Sequence, residues 1–266
     1  YESRIERFIS FLSKPEHRHS DSYLNSLPYY QLTGRRGSWI YENQVSKVVA
    51  SLHPDRDDTI MLFPEIGPAP DWRLTMDILR HFDYKRFHLQ LSRFTESDID
   101  GVQKALKDAP NNLMKRIELN MFEESDLDWR YPVQILSTKK VASLKGRDIK
   151  NVRSMHGKIN SADIQFTSIK DPGALKYMRA ILKYWEGNRI LYQSGHDDHE
   201  SDYYHRLFDL IEQYPDLFDG IITQYGGRAC GFSVWDCHLP GMANSLANLN
   251  DINIRGLPEF VTVAIC

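Results

Sequence analysis

"DGIITQYGGRACGFSVWD", residues 219–236, sets two alternating runs of apolar and polar residues on either side of Gly226-Gly227. That pattern predicts a β-hairpin, because paired glycines readily enter the positive-φ turn whose twist matches the flanking strands. Downstream, "MANSLANLNDIN" (242–253) reads as a further strand, and "RGLPEFVTVAIC" (255–266) opens a helix with Pro258 in its first turn. Upstream, "ADIQFTSI" (162–169) reads as a strand. "DPGALKYMRAILKYWEG" (171–187) reads as a helix closing at Gly187, and the segment from His199 as a helix ended by Tyr214-Pro215. The order is strand, two helices, hairpin, strand, helix, which predicts one sheet flanked by helices.

The first half has its own version of that order. Ile5, Phe8, Ile9 and Leu12 recur at helical spacing, so residues 2–13 read as an amphipathic helix, and residues 15–30 as a loop. "GSWIYEN" and "VSKVVASL" predict two antiparallel strands joined at Asn43-Gln44, and residues 59–63 a buried strand ending before Pro64. A helix capped by Asp71 follows, then a strand over 86–94. Next comes a helix whose Thr95 and Asp98 are spaced as a capping box, and then strands within 113–122 and 131–137. The whole reads as an α/β (α+β) chain of two units, residues 1–137 and 161–266, joined by a basic helix over 138–160. The repetition is one of element order only.

Composition narrows the partners. The 266 residues are 41% hydrophobic and 26% charged, with a net charge of −3, so binding of a polyanion would need a local basic patch. "SLKGRDIKNVRSMHGKIN" (143–160) is such a patch, with Lys145, Arg147, Lys150, Arg153, His156 and Lys158 against Asp148 alone. Arg147, Lys150 and Arg153 recur three apart, on one face if the segment is helical, where they could track phosphates or simply be solvated. No apolar run approaches the roughly 20 residues of a membrane span and no signal-peptide layout opens the chain, which reads as a cytoplasmic protein. The three cysteines, Cys230, Cys237 and Cys266, follow no disulfide pattern.

Three stretches carry the resemblance of this chain to a known family: "ASLKGRDIKNVRSMHGKI" (142–159), "GRACGFSVWD" (227–236) and "NLNDINIRGLPEFVTVAIC" (248–266). Two units with the element order of the GNAT acyltransferase fold, joined by a basic helix, resemble the C-terminal catalytic domain of phosphatidylglycerol lysyltransferases. The resemblance places Arg147, Lys150, Asn151 and Arg153 at that family's basic-helix positions. It implies transfer of an activated acyl or aminoacyl group, with no cofactor, from a phosphate-bearing donor, aminoacyl-tRNA or acyl-coenzyme A. The acceptor would be an amine or hydroxyl on a lipid headgroup, small molecule or peptide. A binding module with a degenerate form of the fold is the non-catalytic alternative. The glycine-rich loop of coenzyme A-dependent acetyltransferases is absent, and the chain stops at Cys266 before the last strands of such a fold, so the second unit is expected to be incomplete.

Read from the residues themselves, "INIRGLPEF" supplies a turn at Gly256, a helix N-terminus whose amides would face an anion, and Arg255 for a charge-assisted bond; an ordinary strand-to-helix turn would look the same. For a base, Asp236 at the end of "GFSVWD" and Glu259 in the helix's first turn lie among Phe232, Trp235 and Phe260, which could raise a carboxyl pKa. Glu259 equally complements the helix dipole. His196, His199 and His205 sit among acidic residues, but without a zinc ligand spacing they read as loop and capping residues, and no metal is expected.

Overall fold

The structure, a computed structural model, describes residues 4–18, 22–34, 38–53, 56–68, 70, 72–85, 87–107, 117–121, 136–192, 199–239 and 242–266. Two compact units divide the chain, Tyr1–Val133 and Gln134–Cys266.

The first unit opens with α1 (Arg4–Ser13), which buries Phe8 and Leu12. Residues 15–30, expected as a loop, instead hold 3-10 turns at Pro15–His17 and Ser22–Asn25 and the start of α2 (Leu27–Thr33). The Ser26 hydroxyl accepts from the Tyr29 amide at 3.1 Å and Pro28 fills the first turn, so Leu27, Tyr30 and Leu32 turn inward. A helix of seven residues makes two turns, too few for periodicity to show in sequence.

Five strands follow in the spatial order of the chain: β1 (Ser38–Glu42), β2 (Lys47–Leu52), β3 (Thr59–Leu62), β4 (His88–Phe94) and β5 (Ile117–Met121). The first three pair antiparallel, and Asn43 closes the β1–β2 turn by accepting from the amides of Val45 and Ser46 at 2.9 and 2.7 Å. β3, β4 and β5 pair parallel, which requires the crossover helices α3 (Arg73–Tyr84) and α4 (Glu96–Leu106). One apolar cluster joins both helices to the sheet, including Leu79, Val102, Ile60, Leu62, Leu89 and Leu91. The Asp71 cap and most of the strand expected at 131–137 lie outside the described residues.

Two residues here adopt backbone that side chains disfavour. Trp72, immediately before α3, has φ 64°, and its indole lies where a Cβ on Gly101 would come within 2.2 Å of Nε1. Arg93 has φ 67° at an irregularity between Leu91 and Phe94, where β4 shifts register against β5. Its Nε donates to the Tyr29 hydroxyl at 2.9 Å, and its guanidinium lies over the Tyr23 ring at 5.3 Å.

The second unit contains α5 (Thr138–Ala142), α6 (Lys150–His156), β6 (Ile164–Ser168), α7 (Ala174–Tyr192), α8 (His199–Gln213), β7 (Phe218–Tyr225), β8 (Arg228–Leu239), β9 (Met242–Asn250) and α9 (Leu257–Ile265). β6 to β9 form an antiparallel sheet in chain order. The hairpin turns where expected, with Gly226 at φ 57° and Gly227 at φ 77°. Tyr204 and Phe208 of α8 pack on Phe232, while Leu257 and Val261 of α9 cluster with Ile164 and Ile221, so the helices cover opposite faces.

Two expectations for this unit need correction. The helix expected to close at Gly187 continues to Tyr192, because Gly187 faces open space and costs only about 1 kcal/mol relative to alanine in a helix interior. The continuous basic helix expected over 138–160 is instead two short helices. Leu144 at φ 52° and Gly146 at φ 123° break the chain between them.

Each unit thus runs three antiparallel strands into a helix entered through a left-handed residue, Trp72 in one and Gly256 in the other. The architecture is mixed α/β, two sheets flanked by helices.

The capping box at α4 is complete, since Thr95 Oγ1 accepts from the Asp98 amide and Asp98 Oδ2 accepts from the Thr95 amide at 2.9 Å. Thr95→Ala should lower the unfolding free energy by about 1 kcal/mol, read as a fall in urea midpoint at unchanged slope.

Candidate functional site

The strand β9 ends at Asn250, and the chain turns through Asp251–Gly256 into α9. Asp251 organises this turn. Its amide donates to the Cys230 carbonyl at 2.8 Å, and its Oδ1 accepts from the Asn253 amide and side chain, both at 3.0 Å. Gly256 then takes φ 87° at the helix N-cap, and a Cβ there would stand 2.3 Å from the Met155 carbonyl oxygen. Only glycine meets both conditions.

That contact docks the end of α6 against the start of α9. The His156 ring stacks on Phe260, with centroids 4.8 Å apart and planes at 19°, and Phe260 lies parallel to the exposed Phe166 of β6. The basic segment and the Arg255-Gly256 turn, suspected as two parts of one donor site, are therefore neighbours. Arg255 is exposed beside Gly256. Lys150 and Asn151 are exposed at the far end of α6, about 8 Å along the helix from Met155. Arg147 precedes the helix in a turn closed by the Lys150 amide donating to its carbonyl, so Arg147, Lys150 and Arg153 do not share one helical face. Arg153 is partly committed to structure, because its Nη1 donates to the Leu144 carbonyl at 2.8 Å.

Among the described residues the patch carries little counter-charge. Asp148, the one acidic residue within 143–160, pairs with Lys140 at 2.5 Å, and that hydrogen bond holds its carboxyl below the usual range. No ion pair to Lys145, Arg147, Lys150 or Lys158 occurs among the described residues.

The two candidate bases part company. Glu259 sits half-buried in the first turn of α9, and its Oε2 is shielded from solvent with no hydrogen-bond partner among the described residues. Asp236 is buried near the other end of β8, opposite Asn244, whose amide donates to its Oδ1 at 3.2 Å. Five residues of strand separate it from Gly231, the partner of Asn250, a span of about 17 Å. The expectation that Asp236 lies near the α9 junction is corrected on that ground: β8 runs on to Leu239, so Asp236 is interior to a strand leading away from the turn.

Sequence reading missed Asp251 and the stacked rings. An Asp-x-Asn after a strand is a turn-forming signal that could have marked Asp251; the stack joins residues too distant in sequence to be seen there. Among the described residues no group of three His, Cys, Asp or Glu side chains could hold a metal ion, and His196 lies outside them. No described helix is long and apolar enough to cross a membrane.

Searched by sequence, the chain matches no protein-family model and no curated protein. Its fold does match solved structures. A conserved protein of unknown function from Bacteroides thetaiotaomicron superposes with a TM-score of 0.61 at 12% identity, over 98% of this chain and 81% of the other. From Agrobacterium fabrum, the "C-terminal Domain (DUF2156) of Putative Lysylphosphatidylglycerol Synthetase" superposes with a TM-score of 0.55 at 10% identity, over 97% and 73%. At these identities the likeness is one of fold.

Gly256→Ala should cost roughly 1–3 kcal/mol of stability, since the strained φ and the Met155 carbonyl both oppose a methyl group, and thermal unfolding measures it. Burial pushes the Cys230 thiol up to about 11 from 9.0, against the opposing pull of the Arg228 charge. A raised folded pKa stabilises the fold fully below the unfolded value and loses that contribution as pH climbs through the folded one. Alkylation of Cys230 by iodoacetamide, followed by peptide mapping, should therefore rise with a midpoint near 11; a midpoint near 9 would contradict the burial.

Proposed function

We propose that this chain transfers an activated acyl group, with aminoacyl-tRNA as the favoured donor and an amine or hydroxyl of a small molecule or lipid headgroup as acceptor. The observation that carries the reading is a single corner of the second unit. There the C-terminal end of α6, a helix that carries exposed cations toward its other end, lies against a helix N-terminus whose first turn holds Glu259, one of whose carboxylate oxygens has no partner among the described residues. The fold shared with the Agrobacterium fabrum protein, named for lysylphosphatidylglycerol synthesis, supports the same class of reaction.

Each part has a chemical task in this reading. Arg147 and Lys150 attract donor phosphates; Asn151 and the outward part of Arg153 add hydrogen bonds to them. Arg255 and the Glu259 amide meet the anionic or carbonyl end of the donor; of the other first-turn positions, the Leu257 amide donates to the Ile254 carbonyl, the Phe260 amide donates to the Gly256 carbonyl, and Pro258 has no N–H. Glu259 takes the proton from the attacking amine or hydroxyl, a role open to a carboxylate one of whose oxygens has no donor among the described residues. The new bond from the acceptor to the acyl carbon replaces the donor's ester or thioester bond, the proton held by Glu259 passes to the departing tRNA hydroxyl or coenzyme A thiol, and no covalent enzyme intermediate is required.

Deacylated tRNA and coenzyme A distinguish the donors. The Arg147→Ala/Lys150→Ala double variant should weaken tRNA binding and flatten its log K against log salt slope by about 1.4–1.8, two phosphate contacts at roughly 0.7–0.9 each. Saturable binding of coenzyme A with only weak, nonspecific binding of tRNA would instead identify an acyl-coenzyme A enzyme, and unchanged binding of both in the double variant would remove the site. Glu259→Gln should lower turnover roughly 10²–10⁴-fold while leaving donor affinity unchanged, measured as single-turnover transfer to an amine acceptor.

A further inference from the structure

A cleft of about 520 Å³ opens on the second unit between the latter half of α7 and the rim where β8 begins and β9 ends. It lies on the α7 side of the sheet, and none of the candidate donor-binding or catalytic residues lines it. Ile181 and Leu249 contribute apolar surface, Tyr184 and Trp185 stand along α7, and Arg228 and Asp251 line the strand side. Pockets of this size take small organic molecules, with specificity set by a few fixed polar groups.

Here the fixed polar group is the Arg228 guanidinium. Nη2 donates to Asp251 Oδ2 at 2.7 Å, and the guanidinium lies over the Tyr184 ring at 5.4 Å from its centroid. Asp251 cannot swing away, because its other oxygen is held by the amide and side chain of Asn253. The two partners differ sharply in exposure: the Asp251 side chain is 3% exposed and that of Arg228 is 55%. A buried carboxylate thus anchors a half-exposed cation, and a guanidinium carries more N–H donors than these contacts use.

We propose that this cleft binds a small monocarboxylate with an aromatic or branched aliphatic body, its carboxylate on Arg228 and its body against Tyr184, Trp185, Ile181 and Leu249. Charge selects the class. One guanidinium, already sharing its charge with Asp251, matches a single negative charge in planar, charge-assisted geometry. With Asp251 and a monocarboxylate the site holds two negative charges on one guanidinium; a phosphate dianion would make it three, with no second cation among the residues lining the cleft. A cationic ligand would meet Arg228 at once.

The probes are 3-phenylpropionate, its uncharged amide 3-phenylpropanamide, and phenyl phosphate, titrated into the 266-residue chain and followed by ligand-observed NMR at millimolar concentrations. Wild-type protein should bind the carboxylate saturably and roughly tenfold more tightly than the amide, the worth of one charge-assisted hydrogen bond. Arg228→Gln should bring the acid down to the amide's affinity. Tyr184→Ala should weaken both acid and amide, and both variants alter half-exposed side chains, so thermal unfolding can verify that they fold. No saturable binding, equal affinity for acid and amide, an Arg228→Gln variant that still prefers the acid, or tighter binding of phenyl phosphate would each overturn the assignment.

Discussion

Gly256 and the Met155 carbonyl approach more closely than any side-chain-bearing residue at position 256 would allow. The second unit's arrangement around its last helix depends on that approach. It places the C-terminal end of α6, where carbonyls carry partial negative charge, against the N-terminal end of α9, where amides carry partial positive charge. The two helix ends compensate each other at one edge, and His156 over Phe260 seals the contact with a ring stack. Because α6 is held at that end, its Lys150 end projects into solvent with the preceding Arg147 turn.

Two anchoring strategies meet in the same short turn. Asp251 uses both carboxylate oxygens, one for the backbone and side chain of Asn253, one for Arg228, so the link between β9 and α9 is fixed from inside. Among the described residues the basic segment has one ion pair, Lys140–Asp148, and Arg153 donates to the Leu144 carbonyl; no second acidic group anchors its cations. Cations left without counter-charges cost little at the surface, but they create a positive field that only something outside the protein can neutralise. A solvated patch and a phosphate-binding patch share these features.

Much of the fold was legible in the sequence because its signals are local. The Gly226-Gly227 hairpin, the Thr95–Asp98 capping box and the β-branched runs of the first sheet each lie within a dozen residues, and each formed as read. Gly187 misled because helix propensity is a weak preference that continued packing on either side overrides. The break at Leu144–Gly146 was invisible for the opposite reason: a basic, polar segment has too little apolar periodicity to show where a helix stops. At the candidate site, composition could mark the cations and the Arg255-Gly256 turn. It could not tell that Asp236 lies several rungs down a long strand, since that depends on the register of β8 against β9. Nor could it find the Arg228–Asp251 pair, whose members are joined only by that register.

Arg93 combines demands that pull in opposite directions. Its backbone, at φ 67°, sits in a region glycine or asparagine enters easily, whereas its buried guanidinium is gripped by Tyr29 and faced by Tyr23. A substitution that relaxes the main chain forfeits the cation, and one that keeps a long cation retains the strain. Lysine, lacking the planar fork, satisfies neither well. The backbone strain at position 93 is therefore the condition for the guanidinium's contact with Tyr29 and Tyr23, and neither can be altered without the other.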